Sequence, residues 1–434
     1  MGRTEGFHCK SRPKMLVAIA CFCGLADQCV ATGVDRYTAG VENFGSPPEL
    51  SKSMRGGAGH RNGRPTVLFA PEEWGYGPLG TALHVAQAIR DVAGDAINLE
   101  IVLSETFRSP VQGGLFDRIH ADWASAERAD AVVTVMNVEG IRTAAARGER
   151  VYAIDVLAWL WPEPLPVQDL IYAYFYQDLP VLPVPTGNLA RMPNPTPISA
   201  IGRLPGHGAN NGKRDQLGVG VPRLVVSLSG LETPGSRLGM NGLWYPPYIL
   251  NALEQLADAG HLNPDDLALF GNTTVLRHFA RAHIARAVRA ESSQYEFGIA
   301  ARAAGVVVCP PGLTTIVECL RAGVAIRLLP PQNFGQVKQM TAFVEAVGIP
   351  AMPWTSVALK WLQSATLPEP VRTAIMRGII AEERLLRAHA DPEALLSLLA
   401  QNPPVPDQAT VEALIGPDDG AMTVARRVTS DLSQ

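Results

Sequence analysis

From Thr66 onward the sequence alternates short, largely apolar runs with stretches whose apolar residues recur at helical spacing, a rhythm that restricts the chain to an α/β fold with mainly parallel sheets. The runs TVLFA (66–70), LEIVLS (99–104), AVVTVM (131–136), RVYAID (150–155) and LIYAYF (170–175) predict buried strands. Between the first two, Ala82, Val85, Ala86, Ile89 and Val92 share one helical face, so TALHVAQAIRDV predicts a crossover helix. A second series runs through RLVVSLSG (223–230), DLALFG (266–271), GVVVCPPG (305–312) and VAIRLLP (324–330). Its crossover ILNALEQLADA stops at Gly260.

A chain of 434 residues suits two such domains. Residues 64–202 are expected to form the first Rossmann-like domain and 223–368 the second, joined by a linker over 203–222. The whole stretch 183–222 is dense in Pro, Gly and Asn and has no sustained period. Closing helices are expected over 369–400, packing back toward the first domain, with a tail over 401–434. Residues 1–63 are expected to be a disordered extension. Lys10, Arg12 and Lys14 precede MLVAIACFCGLA, which has the length of a signal-peptide core, but 31–63 lacks periodicity and Met54 lies close ahead of the first strand. No apolar stretch reaches the roughly 18 residues of a membrane helix.

Lys and Arg total 37 against 41 acidic residues, and a net charge of −4 provides no general attraction to nucleic acid or anionic lipid. Four of the six cysteines fall in the first 30 residues with no His at zinc-finger spacing, while Cys309 and Cys319 are expected to be buried thiols. The expectation is a cytoplasmic protein. The sequence holds no Asp-x-Asp, HExxH or P-loop pattern, so neither a metal nor ATP is called for.

The densest chemistry lies in VVVCPPGLTTIVECLRAG, where a buried strand breaks at Pro310, Pro311 and Gly312 and a helix opens at Thr314 or Thr315. Helix N-termini present N–H donors and a positive dipole end to an oxyanion, and Gly312 permits close approach. One turn on, Glu318 suits a ribose diol. An ordinary strand-to-helix turn with Thr as its cap is the alternative. The end of the next strand delivers Gln332, Asn333 and Gln336, neutral groups that can bind sugar hydroxyls at the same sheet edge. The turn SLSGLETPGSRLG adds Ser227, Ser229 and Gly230 as diphosphate donors and Arg237 as an anion partner, a flexible loop being the plain alternative. In the first domain, the turn APEEWGYGPLG offers Glu72 or Glu73 as general base, with Trp74 and Tyr76 to stack on a flat acceptor. Asp155 is the third candidate base. His84, inside the crossover helix, is expected to be a satisfied core or interface histidine rather than a base.

With these motifs, residues 223–350 resemble the donor domain of GT-B glycosyltransferases, and the architecture of 64 to about 400 fits the same family. The resemblance implies two Rossmann-like domains facing across a cleft and a UDP-sugar donor, with its diphosphate at the Gly312 turn, its ribose on Glu318 and its sugar near Gln336. It also implies inverting, metal-independent transfer to a small-molecule acceptor. Gly335-Gln336 replaces the Asp-Gln pair many members carry, and the diproline is unusual. Within the superfamily, PPGLTTIVECLRAG and LPPQNFGQ are similar to cytosylglucuronic acid synthases of nucleoside-antibiotic pathways. That likeness implies transfer from UDP-glucuronic acid to N1 of cytosine or a modified cytosine, with Arg237, Arg327 or Lys338 facing the donor carboxylate, although Arg327, inside a strand, reads better as a structural ion pair. A UDP-sugar epimerase or a silent partner protein on the same fold are the alternatives.

Overall fold

Two parallel sheets, one from each half of the chain, organise a two-domain α/β fold in the computed structural model. The model describes residues 63–434 apart from 74, 109, 112–113, 161–166, 205–221, 229–244, 290–292, 333 and 353–390. The first sheet contains β1 (Thr66–Pro71), β2 (Asn98–Val102), β3 (Arg118–His120), β4 (Ala131–Val135), β5 (Arg150–Asp155), β6 (Ala173–Gln177) and β7 (Pro195–Ile198). Its order is β3-β2-β1-β4-β5-β6-β7 and every pair is parallel. Chain order reverses beside β1, which opens a crevice at the carboxyl ends of β1 and β4.

Alternate residues of β1 serve opposite faces, which is why its sequence is apolar throughout. Val67 and Phe69 join the core under α1 (Gly77–Ala93), while Leu68 and Ala70 join the core under α2 (Val138–Ala146). The stretch expected to be irregular contains β7. Its Pro195 and Pro197 lack N–H groups, and the outer edge of the sheet is where a strand tolerates that loss.

The second sheet contains β8 (Leu224–Ser227), β9 (Leu267–Phe270), β10 (Val306–Cys309) and β11 (Ala325–Leu328), in the order β11-β10-β8-β9 and again parallel. Its principal helices are α3 (Tyr245–Asp258), α4 (Gln294–Ala304), α5 (Leu313–Arg321) and α6 (Phe334–Val347). Two Rossmann-like lobes are the architecture the GT-B resemblance implies.

The closing elements depart from expectation. Of the segment 369–400, the described helix α7 (Pro392–Ala400) stays with the second lobe, because Leu395 and Leu398 pack among Ile249, Leu250 and Leu253. The supposed tail instead forms α8 (Gln408–Ile415) and α9 (Gly420–Leu432), whose side-chain N-caps are Asp407 and Asp419. Ala421, Val424, Ala425 and Val428 fall at i, i+3, i+4 and i+7 and are fully buried in the core that holds α1, so α9 is the element that returns to the first lobe. Its far end is anchored by Asp431, which accepts from the Tyr152 hydroxyl (2.9 Å), while its carbonyl accepts from Arg150 (2.8 Å).

Candidate active site

Helices α1 and α5 meet where the two lobes touch. A Cβ added at Gly80 would lie 3.3 Å from Thr314 Cγ2, and His84 Nε2 lies 2.8 Å from Glu318 Oε1. Both contacts step by four residues in the same direction, so the helices run side by side and parallel, with their N-termini at one end. Gly202 brings the lobe connection against the same helix. Its φ of +153° disfavours any side chain, and a Cβ there would lie 3.1 Å from Val317 Cγ1 and 3.3 Å from the Thr314 carbonyl.

Tyr76 begins α1 and Gly312 begins α5 without a side-chain cap, and neither helix has an acidic residue in its first turn. Elsewhere Asn137, Asn272, Ser293, Asp391, Asp407 and Asp419 cap their helices through side-chain oxygens. Two parallel helices without side-chain caps present their positive dipole ends and free N–H groups on the same side, an arrangement suited to an anionic group. Thr314 and Thr315, both half-buried, lie in the first turn of α5.

One turn below, Glu318 is 4% exposed. Its Oε1 accepts from Gln294 Nε2 at 2.6 Å and from His84 Nε2 at 2.8 Å. The sequence placed Glu318 correctly on the helix that opens at Gly312 but did not foresee Gln294, whose position at the first turn of α4 depends on how the second sheet is wound. The interface reading of His84 agrees with this geometry.

Other expected residues separate into anchored, partly positioned and undescribed groups. Glu73 has both oxygens engaged by Ser104, Oε1 by its backbone N–H and Oε2 by its hydroxyl, each at 2.7 Å. Asp155 is buried at the end of β5, accepting from the Tyr174 hydroxyl (2.7 Å) and the Leu157 amide (2.8 Å), and desolvation raises its pKa to about 6. Both carboxylates therefore hold loops in place. Glu72 is half-buried just past β1, with its backbone N–H bonded to Val135 O across the switch point. Tyr76 is half-buried and packs edge to face on Phe107, with ring centroids 5.9 Å apart, against the first core. Ser227 ends β8 with its neighbour Leu228 bonded to Phe270. Gln336 Oε1 accepts from the Gln332 amide at 2.7 Å, which fixes the turn into α6. Trp74, Ser229, Gly230, Arg237 and Asn333 lie outside the described residues.

Arg327, inside β11, has a structural partner, a backbone carbonyl and not the ion pair expected for it. Its guanidinium donates twice to the Gln401 carbonyl, at 3.0 and 2.6 Å, and ties the chain after α7 to β11. Lys338 lines an open groove of about 750 Å³ between α6 and the loop after β6, along with Trp159, Leu182, Thr341 and Glu345. Among the described residues, Glu254, Asp258 and His283 have metal-ligand spacing, but both Glu254 oxygens already accept backbone N–H groups from His283 and Ile284. No described helix is long and apolar enough to cross a membrane.

No family model matches the chain, and no curated protein does. Among solved structures it is similar to the spinosyn rhamnosyltransferase SpnG, with 13% identity over 85% of this chain and 100% of that one and a TM-score of 0.44. It is also similar to Phytolacca americana UGT2 complexed with UDP-2fluoro-glucose and pterostilbene, with 13% identity over 85% of this chain and 100% of that one and a TM-score of 0.45. Acinetobacter baumannii MurG matches at 12% identity over 84% of this chain and 99% of that one, with a TM-score of 0.35. Likenesses this distant leave the reaction to be decided by the site itself.

Proposed function

We propose that this chain is a glycosyltransferase using a nucleoside diphosphate sugar, in the first instance a UDP-sugar. The observation that carries the reading is the pair of parallel, uncapped helix N-termini, one from each lobe, with Glu318 one turn below them. In this reading the diphosphate occupies the paired helix ends, the ribose meets Glu318, and the sugar extends toward Gln332 and Gln336. Charge that develops on the departing diphosphate is stabilised by fixed N–H donors and Thr hydroxyls, without solvent reorganisation. The acceptor nucleophile forms its bond to the anomeric carbon as the carbon–oxygen bond to the diphosphate breaks, inverting the configuration and passing its proton to a base.

Glu72 is the base we assign. Its support is position: Glu72 is half-buried just past the carboxyl end of β1, at the switch point between β1 and β4 and in the turn that leads into α1. The scheme uses no metal, so turnover should survive EDTA. The narrower donor and acceptor, UDP-glucuronic acid and cytosine or a modified cytosine, rest on the motif resemblance. Lys338 and Arg237 are the cations we propose for a glucuronate carboxylate, Arg327 holding the Gln401 carbonyl.

The test is a mass-spectrometric panel pairing UDP-glucose, UDP-galactose and UDP-glucuronic acid with cytosine, hydroxymethylcytosine and unrelated small acceptors. A glycosylated adduct with stoichiometric UDP supports the proposal. Epimerised sugar formed without acceptor would make the chain an epimerase, and absence of both product and UDP binding would leave the fold without this chemistry.

A further inference from the structure

Glu318 is held by residues that arrive from separate elements. Gln294 opens α4 of the second lobe, and its amide donates to Oε1 at 2.6 Å, while His84 reaches across from α1 of the first lobe to the same oxygen at 2.8 Å. The two nitrogens stand 2.7 Å apart. Assigning the imidazole proton to Nε2, the tautomer that lets the ring donate to a carboxylate, makes Oε1 the acceptor the two nitrogens share, with the Arg203 backbone N–H 3.5 Å from the same ring nitrogen. The result is a carboxylate with one oxygen saturated and its orientation fixed from two sides. Oε2 takes no partner among the described residues, and the side chain is 5% exposed.

We infer that His84 and Gln294 are specificity-determining positioning residues, which lock Glu318 Oε1 so that Oε2 is presented to the vicinal hydroxyls of a ribonucleotide donor. This rests on the donor-site reading above. A carboxylate free to rotate could turn away from a sugar lacking one hydroxyl and lose little. A carboxylate pinned through one oxygen cannot compensate, so loss of a hydroxyl leaves a buried acceptor lone pair unpaired, the condition under which polar sites discriminate most strongly. Because His84 belongs to the other lobe, ribose selection is completed only where the lobes touch.

The experiment is calorimetric binding of UDP and 2′-deoxyuridine diphosphate to the full chain and to His84→Ala, His84→Gln, Gln294→Ala and Glu318→Gln. Wild type is expected to prefer UDP by about tenfold, the effect of one hydrogen bond to a charged group. His84→Ala and Gln294→Ala should each bring the ratio close to one by weakening UDP while leaving the deoxy ligand little changed. His84→Gln, which retains an N–H donor, should recover part of the preference. A purely structural role would weaken both ligands together, and that result, or an unchanged ratio in both alanine variants, overturns the inference. Failure of wild type to bind either diphosphate instead overturns the donor-site reading on which it rests.

Discussion

Asp155 sits with its charge buried and both oxygens engaged, and desolvation outweighs those hydrogen bonds to lift its pKa from 3.8 to about 6. A carboxyl whose folded pKa is raised binds its proton more tightly in the folded state. Its stabilising contribution is complete below pH 3.8 and is lost as pH rises through about 6. At about 1.4 kcal/mol per unit, ionisation costs the fold on the order of 3 kcal/mol. Asp155→Asn should therefore flatten the pH dependence of chemical denaturation between pH 4 and 6, and an unaltered slope would refute that burden. Neighbouring carboxylates divide differently. Glu72→Gln should lower kcat about a hundredfold, the usual contribution of a positioned base, with UDP affinity preserved. Glu73→Gln should instead lower the melting temperature, since it disrupts the clamp on Ser104. Sequence spacing sufficed to place Glu318 near a helix start, because it depends only on counting along one helix. His84, Ser104 and Tyr174, which hold Glu318, Glu73 and Asp155, were not legible as partners because they lie 234, 31 and 19 residues away in the chain.

At the scale of elements, the contact between α1 and α5 depends on the absent side chain at Gly80. Gly80→Val would push branched carbons into Thr314 and should cost about 1–3 kcal/mol as overpacking, with weaker UDP binding from displaced helix ends. Thr314→Ser removes the methyl that is struck, so the double variant should regain part of the melting temperature. Strict additivity of the two changes would show that these side chains do not meet. The strands were legible from the sequence because parallel, doubly covered strands are apolar throughout. The two edge strands were not, since β3 is three residues long with Arg118 and Ile119 exposed and β7 with Pro195 and Pro197 carries turn composition. The helices α8 and α9 were also missed. The prolines and polar residues after Gln401 masked the cap residues Asp407 and Asp419 and the i, i+3, i+4, i+7 series that starts at Ala421.

Across the whole molecule, the chain leaves the first lobe at residue 204, builds the second, and comes back through α8 and α9 to complete the first core. Deleting 407–434 should consequently destabilise the first lobe by exposing the α1 face that Val424 and Val428 cover, detectable as an early unfolding transition. The same return path fixes α5. Arg321 donates to the Gly202 carbonyl at 3.1 Å and also to the Asp418 carbonyl, joining that helix to the lobe connection and the approach to α9. In the proposed reading both lobes contribute to one donor site, and its occupant is the central claim. Titrating UDP into the full chain and into Glu318→Ala by calorimetry tests it most directly. The account predicts a single site in wild type and at least tenfold weaker binding in Glu318→Ala, with most of the melting temperature retained. Wild-type chain that does not bind UDP, or a variant that binds it equally well, would contradict the account.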